Sequence, residues 1–477
     1  MMLLFFLLPI VVLVLNISYK KYCFRQHAHA LITGLPFGLG FKISTSYFNL
    51  FLQKFGQKHK GVIKVWFSVG AIISIVLLPL ISYLFLITGL QQVKIIVQKY
   101  YNEGLEEKPF LLQPVLPGVN IPFGDAIYCL AAIFISSLVH EFGHAVAATS
   151  EHLTIDGAGF LVFLIIPAAF VELPSYDLRL LSTFSKIRIF TAGVWNNIVL
   201  AVIAWIAILC LPIFLCSIYQ IDSGVLVTAV LQDSAISGEN GLQVMNVIQS
   251  VNDCQVQNKE KWRACLLEAV QAPAPGFCIS EAADFLNKDN NTGMATKEEC
   301  CKNNNDSTLC FKSTSFTTCL SARSVIENAH FCASNACALG YICLTPFTED
   351  INSTFPKITV LKTEQTKKVL FLGHPGEIYS SVEVSSYVTN YRFIILLPGI
   401  LHSLLIYLSS ISAGQACVNL VPCIEFDGCH LSKLVVFSLF FHKYNINSVK
   451  RIHNFVIFIG TILIAFTVVL SFINFLT

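Results

Sequence analysis

Long apolar runs, separated by short polar segments, dominate the pattern along this chain. A transmembrane helix needs about 20 apolar residues, and residues 66–90, 121–149, 187–219, 392–412 and 453–476 reach that length. Residues 2–15 are also apolar, but no basic segment precedes them and no small-residue cleavage site follows them. This favours an uncleaved first span over a signal peptide. The pattern predicts a polytopic α-helical membrane protein with about six transmembrane helices.

Composition supports a membrane protein and narrows the set of partners. The 477 residues are 55% hydrophobic and 13% charged, and the net charge is +2. A net charge this small provides no electrostatic basis for binding nucleic acid. We therefore expect membrane lipid around the chain and no nucleic-acid partner.

Residues 220–391 differ in composition from the rest of the chain. They hold ten of the 17 cysteines, together with N-x-S/T sequons at Asn290, Asn305 and Asn352. Cysteines in even number beside glycosylation acceptors are typical of an oxidising compartment. The segment is therefore predicted to be a cysteine-rich domain in a lumenal or extracellular space. Its cysteine spacing specifies no unique pairing.

Basic residues indicate the orientation of the spans. Residues 20–64 contain eight Lys or Arg and no Asp or Glu, and further basic residues precede the 187–219 run and follow the 392–412 run. With residues 220–391 in the lumen, all of these lie on the cytosolic side, as the positive-inside rule requires. Residues 30–51 are moderately apolar and leave open a further excursion into the membrane.

The chain is predicted to have four parts. Residues 1–120 form N-terminal membrane segments, residues 121–219 the first part of the membrane core, residues 220–391 the lumenal domain, and residues 392–477 the second part of the membrane core.

The run from 121 to 149 contains the ionisable sequence HEFGH. Residues four apart lie on one face of a helix, so His140 and His144 can bind one ion. Two imidazoles leave a zinc ion open for a third protein ligand and a water, whose pKa the metal lowers to about 7. Glu141 is the candidate base that takes the proton of this water and passes it to the leaving amine. We expect Gly143 to keep the face beside the metal free of bulk.

Three classes of protein are compatible with ionisable residues in a span. A lone histidine in an apolar helix is more often an interior residue than a ligand. A charge at mid-bilayer costs about 2.5 kcal/mol or more, however, and is retained for function, so three such residues at ligand spacing favour a metal site. A metal transporter has no need of Glu141, and a catalytically inactive scaffold has no need of the full set. A metallohydrolase explains all three residues.

A third ligand is expected from another span on the same side of the membrane. The sequence NLVPCIEFDGCHL, residues 419–431, follows the 392–412 run at its cytosolic end. Pro422 breaks a regular helix there, and Gly428 permits a turn that directs the Asp427 carboxylate inward. Asp427 is the preferred ligand. Glu425 and His430 remain rivals by residue type.

These motifs together resemble the site-2 protease family of intramembrane zinc metalloproteases, and most of all its animal members. The resemblance rests on HEFGH, on FDG after NLVPC and on AGVWNN between them. IIPAAFVEL at 165–173 and GEIYSSVEVSSYV at 376–388 support it. The resemblance extends from about residue 123 to residue 441. Phe426 stands where the family usually has Leu.

The resemblance implies a set of site residues and one zinc ion as cofactor. The family's zinc ligands fall on His140, His144 and Asp427, and its catalytic glutamate falls on Glu141. Its G-x-x-x-N element falls on Gly193 and Asn197, whose amide could donate to a developing oxyanion. An amide in a span also bonds across helices for packing, as its neighbour Asn196 illustrates.

The resemblance also implies a small β element and a PDZ-like domain. Residues 159–173 are too short and too rich in β-branched types for a span, and in the family they form strands beside the active site. An edge strand there could hold an unwound substrate in extended form. Residues 224–256 resemble the first half of a PDZ-like lumenal α+β domain, and residues 358–388 its second half. A re-entrant packing segment and a ligand-free ectodomain are the simpler alternatives.

The implied activity is cleavage of single-span membrane proteins near the cytosolic face. The family's substrates have type II topology and are first cut by the site-1 protease. They include precursors of transcription factors that are released from the membrane. The implied location is the Golgi, with passage through the endoplasmic reticulum. No soluble small-molecule cofactor is expected.

Overall fold

The structure is a computed structural model, and it divides into two compact units. Unit 1 comprises Met1–Leu209 with His402–Thr477, and unit 2 comprises Cys210–Leu401. The described residues are 30–34, 40–101, 115, 117–163, 165–232, 234–237, 241–271, 276–280, 308–313, 317–321, 325, 330–332, 337–346, 357–364, 368–440 and 443–476. The predicted first span, residues 2–15, and the three sequons lie outside these residues.

The described residues form ten α-helices, most of them in unit 1. They are α1 (Asn49–Lys58), α2 (Lys60–Tyr100), α3 (Ala126–Ser150), α4 (Ser175–Leu180), α5 (Thr183–Leu215), α6 (Lys259–Gln271), α7 (Pro375–Ser381), α8 (Leu397–Leu420), α9 (Asp427–Phe440) and α10 (Ile446–Leu476). Among the described residues, five helices are long and apolar enough to cross a membrane: α2, α3, α5, α8 and α10. The five longer predicted spans are thus confirmed as helices, and the chain is a polytopic helical membrane protein.

A four-stranded antiparallel sheet belongs to unit 1. Its strands are β1 (Ala30–Gly34), β2 (Gly40–Thr45), β3 (Gly157–Phe163) and β4 (Ile166–Glu172), in that order across the sheet. Strands β3 and β4 form a hairpin that starts seven residues after the end of α3 and pairs Phe160 with Ala169. The strands expected within residues 159–173 are therefore present. Residues 30–51 make no further membrane excursion as helix within the described part, because they supply β1, β2 and the start of α1.

Small residues on α3 let neighbouring helices approach it closely. Ala145 and Ala148 are fully buried, in a core shared by residues of α1, α2, α3 and α5. Small side chains at helix contacts are typical of membrane bundles, where packing rather than water exclusion holds the helices together.

Helices α2 and α10 are joined by a buried hydrogen bond from Gln92 Nε2 to Ser471 Oγ of 2.6 Å.

Ion pairs hold the C-terminal end of α3. Glu151 lies 2.6 Å from Arg188 and 3.0 Å from Lys64, measured between charged atoms, and accepts a hydrogen bond from Ser185. Its side chain is only 6% exposed. Burial raises the pKa of Glu151, but the hydrogen bond from Lys64 and the charge of Arg188 outweigh burial, so its pKa lies below the ordinary value of 4.5. The cations also offset the unfavourable position of a carboxylate at a helix C-terminus.

The described residues of unit 2 form two separate sheets. The strands of the first are β5 (Gln220–Val230), β6 (Val247–Val251), β7 (Cys254–Gln255), β13 (Lys357–Thr363), β14 (Lys368–Gly373) and β15 (Val382–Val388). They have the order β14-β13-β6-β5-β15 with β7 beside β6, and α6 and α7 pack against this sheet. Residues 224–256 and 358–388, expected to form two halves of one domain, therefore do share one sheet.

The cysteine-rich insert forms the second sheet of unit 2. Its order is β10-β9-β12-β8-β11, from β8 (Phe277–Ser280), β9 (Thr308–Lys312), β10 (Thr317–Ser321), β11 (His330–Phe331) and β12 (Tyr341–Pro346). Disulfides join Cys278 to Cys337 and Cys332 to Cys343, and a third, Cys254 to Cys265, staples β7 to α6. The free cysteines found in the described part of the chain all lie outside residues 220–391.

Candidate metal centre

The two histidines of HEFGH face the same point beside α3. The Nε2 atoms of His140 and His144 are 3.1 Å apart, and both side chains are largely buried. One turn of helix separates the two residues, so this geometry follows from local backbone structure. The residues predicted to share an ion are therefore positioned to do so.

Asp427 reaches the same point from another helix. Its Oδ2 atom lies 3.1 Å from His140 Nε2 and 3.2 Å from His144 Nε2. Ligand atoms on a tetrahedral zinc with bonds of about 2.1 Å are about 3.4 Å apart, so these separations suit one zinc ion. In the described part of the chain, these three residues form the one candidate ligand group that includes histidine.

The turn between α8 and α9 positions Asp427. Helix α8 ends at Leu420, shortly before Pro422, and Asp427 is the first residue of α9. A carboxylate in the first turn of a helix is stabilised by the helix dipole. A Cβ atom on Gly428 would lie 2.2 Å from the Val421 carbonyl oxygen, so only glycine allows α9 to begin this close to the end of α8.

The two rival ligands lie elsewhere. Glu425 is exposed in the turn, with a left-handed backbone φ of 71°. The ring of His430 stacks on Phe190 with centroids 4.7 Å apart. Neither residue belongs to a candidate metal-binding group.

The hydrogen bonding of His144 favours a cation at this point. His144 Nδ1 lies 2.8 Å from the carbonyl oxygen of Ile189, which can only accept, so Nδ1 carries the proton. In neutral His144, the Nε2 atom then carries a lone pair, and this lone pair faces the Asp427 carboxylate. Two acceptors at 3.2 Å repel each other unless a proton or a metal ion lies between them. The donor set of two imidazoles and one carboxylate is one that zinc accepts.

Glycine at 193 makes room for the histidine pair. A Cβ atom on Gly193 of α5 would lie 2.5 Å from the Nε2 atoms of both His140 and His144. The absence of a side chain at the glycine of the G-x-x-x-N element thus leaves room for the Nε2 atoms of both histidines. The expectation for Gly143 is wrong, because its missing Cβ leaves room for Ala192 and Asn196 of α5 rather than for a metal.

Glu141 lies between the histidines and strand β4. Its Oε2 accepts a hydrogen bond of 3.0 Å from the backbone N–H of Val171, and one turn earlier Ser137 Oγ accepts one of 2.8 Å from Ala169. Because β4 is the last strand of its sheet, these N–H groups point outward toward α3. The candidate base is therefore placed at the edge strand expected beside the site. Nothing in the sequence pattern had indicated the contact made by Ser137.

The two adjacent amides of α5 have different partners. Asn196 Nδ2 donates to the Val139 carbonyl oxygen at 3.2 Å, which joins α5 to α3. Asn197 is fully buried, and its Nδ2 lies 3.3 Å from His140 Nδ1 and 3.3 Å from Gln415 Oε1. Gln415 was not singled out from the sequence: it lies just beyond the predicted run 392–412, within α8, where an amide is a signal of interhelical contact.

The fold and the site together define a class: a polytopic membrane protein whose helices assemble a His-His-Asp metal-binding group beside a glutamate. The model of peptidase family M50 matches residues 128–466, which include every residue of this group. The match covers more than half of the chain. The chain belongs to peptidase family M50, the family of the site-2 proteases.

A curated relative agrees with this assignment. The membrane-bound transcription factor site-2 protease homolog of Arabidopsis thaliana is 28% identical to the chain over 220 residues. The matched region is 46% of this chain and 41% of the relative. The chain thus spans less than half of the length of that relative.

Proposed function

We propose that the chain is an intramembrane zinc endopeptidase that hydrolyses peptide bonds of single-span membrane proteins. The observation that carries the proposal is the convergence of Asp427 with His140 and His144, at 3.1 and 3.2 Å. Membership of peptidase family M50 supports the same activity. The three residues would hold one zinc ion.

The proposed chemistry divides between the ion and the chain. A zinc ion at this site supplies a Lewis acid that makes water a nucleophile at neutral pH. Glu141 takes the proton of the attacking water and delivers it to the amine nitrogen of the leaving segment. Its hydrogen bond from Val171 holds the carboxylate beside the site in the correct direction for this transfer.

Two further elements would act on the substrate. The buried Asn197 is a candidate donor to the oxyanion that forms on the scissile carbonyl. Strand β4 offers an edge beside Glu141, and an edge strand can bind a peptide in extended form by adding it to the sheet. A helical substrate must be unwound before attack, because its carbonyl groups are engaged in helical hydrogen bonds. The N–H groups of Ala169 and Val171 already donate to Ser137 and Glu141, so a substrate strand would pair with the remaining backbone groups of this edge.

The substrate class is proposed to be type II membrane proteins first cut by the site-1 protease. The relative's name refers to membrane-bound transcription factors, and precursors of this kind are the proposed substrates. Cleavage would occur near the cytosolic face and release their cytosolic domains. The basic residues of the segments that flank the spans support this orientation.

Residues 220–391 are proposed to be lumenal and PDZ-like, in a protein of the Golgi that passes through the endoplasmic reticulum. Disulfides within unit 2 support an oxidising compartment. The sheet that contains β5, β6 and β13–β15, packed with α6 and α7, supports a peptide-binding domain. Such a domain would admit only substrates whose lumenal part has been trimmed.

The test is purification of the wild type, Glu141→Gln and Asp427→Asn, each assayed for zinc content and for cleavage of a co-expressed, pre-trimmed type II substrate. The proposal expects stoichiometric zinc in the wild type and in Glu141→Gln, with cleavage only in the wild type. Asp427→Asn should lose both. Stoichiometric zinc is the first requirement, and its absence from the wild type would overturn the proposal.

The same variants separate the two alternatives. In a metal transporter, Glu141→Gln would alter metal flux in vesicles, and the wild type would cleave nothing. In an inactive scaffold, none of the proteins would cleave or transport. Cleavage by the wild type that persists undiminished in Glu141→Gln would contradict the assigned role of this glutamate.

A further inference from the structure

His140 needs an acceptor on the side of its ring that faces away from the ion. An imidazole that gives its Nε2 lone pair to a metal carries its proton on Nδ1, and that proton is normally accepted by a neighbouring group that fixes the ring. For His144 the acceptor is the carbonyl oxygen of Ile189 at 2.8 Å. For His140 the group at Nδ1 is the carboxamide of Asn197, at 3.3 Å.

Gln415 determines which end of that carboxamide His140 meets. Its Oε1 lies 3.3 Å from the same Asn197 nitrogen that faces His140 Nδ1, and Asn197 Oδ1 is buried without a partner. In this orientation Asn197 donates to both neighbours, which suits a His140 with its proton on Nε2. Metal binding requires the opposite polarity at Nδ1.

Both amides can reverse without moving their heavy-atom positions, because the two ends of a carboxamide are nearly isosteric. Asn197 Oδ1 then accepts from His140 Nδ1 and from Gln415 Nε2. The reversal also places Asn197 Nδ2 at the buried position that Oδ1 held, where it meets no protein partner. A single amide pair therefore matches the site both with and without a metal.

We infer that Gln415 is a positioning residue for the metal centre: through Asn197 it orients His140 so that Nε2 faces the ion. The inference rests on the proposed function, since it requires a metal at His140. Gln415 comes from α8 and Asn197 from α5, so the pair also connects both helices to α3. Loss of a partner of this kind costs about 10–100-fold in metal affinity.

The test measures the rate at which zinc passes from the purified protein in detergent to an excess of chelator. Gln415→Met keeps the length of the side chain and removes both polar atoms, and zinc loss should accelerate by about tenfold or more. Gln92→Met is the matched control, because Gln92 makes an interhelical hydrogen bond in a different part of unit 1. Its zinc loss should equal that of the wild type.

A double-variant cycle shows whether Gln415 acts through Asn197. Asn197→Leu removes the group that touches His140, so adding Gln415→Met to it should accelerate zinc loss no further. Additive effects would overturn the inference, as would wild-type zinc retention in Gln415→Met.

Melting temperatures of the zinc-free variants separate a folding defect, in which Gln415→Met melts far below Gln92→Met, from a defect in metal retention. If Gln415→Met does not fold, wild-type zinc retention in Asn197→Leu overturns the inference by itself. Absence of zinc from the wild type would instead contradict the proposed function.

Discussion

Asp427 Oδ2 lies 3.1 Å from His140 Nε2, although the whole of unit 2, residues 210–401, lies between the two residues in sequence. The contact is made by the first residue of α9 and a residue in the second half of α3. It joins a carboxylate at a helix N-terminus to a histidine pair whose relative position is set by one helical turn.

Asp427→Asn should weaken zinc binding, because a direct ligand loses its charge. Loss of a group that only supports a ligand costs about 10–100-fold in metal affinity, and the loss here should be at least as large. The measurement is zinc content after dialysis against graded chelator. Glu425→Gln and His430→Gln are the controls, since both residues lie near Asp427 in sequence and outside the candidate group. Zinc loss in a control that matches the loss in Asp427→Asn would contradict the assignment.

Gly193→Ala should displace both histidines, because the added Cβ would lie 2.5 Å from their Nε2 atoms. Overpacking of this kind costs about 1–3 kcal/mol, which corresponds to about 5–150-fold in zinc affinity. Gly414→Ala provides the comparison, since a Cβ there meets nothing within 4 Å. Equal zinc affinity in the two variants would show that a side chain at position 193 does not displace the histidine pair.

Asn196 and Asn197 should differ in the property that each controls. Asn196→Ala removes a bond to the Val139 carbonyl and should cost about 1 kcal/mol of stability with kcat unchanged. Asn197→Ala should lower kcat by about 100-fold if its amide donates to the oxyanion. Thermal melting and single-turnover cleavage measure the two effects. A fall in kcat of the same size in both variants would indicate a shared packing role.

Glu151 should make stability depend on acidic pH. Its pKa is lower in the folded chain than the ordinary 4.5, so its ion pairs stabilise fully above about pH 4.5 and are lost as the pH falls through the folded-state pKa. Glu151→Gln should cost about 2 kcal/mol at neutral pH, the contribution of a charge-assisted hydrogen bond.

The check on Glu151 is the melting temperature from pH 7 downward. The difference between wild type and Glu151→Gln should shrink below about pH 4.5. Glu425→Gln, an exposed acid in the same unit, should follow the wild type over the whole range. A wild-type advantage that stays constant into strong acid would show that charge is not its source.

The spans and half of the candidate site could be read from local sequence. Apolar runs of sufficient length form helices in lipid because their backbone groups must be satisfied internally, and the spacing of His140 and His144 sets their common face. The turn signals around Pro422 and Gly428 already favoured Asp427, and the family motifs agreed with that choice and added Asn197 as a candidate. Those features depend on the order of residues over a few turns.

What the sequence by itself determined, then, was the membrane class, the histidine pair with its neighbouring glutamate, and a short set of possible partners. Only the tertiary structure decided that Asp427, rather than Glu425 or His430, meets the pair, that Gly143 packs against α5, and that Gln415 stands behind Asn197. The reason is physical: helical periodicity fixes which residues of one segment share a face, whereas contacts between distant segments depend on how deeply each helix sits and how closely its small residues let its neighbours approach.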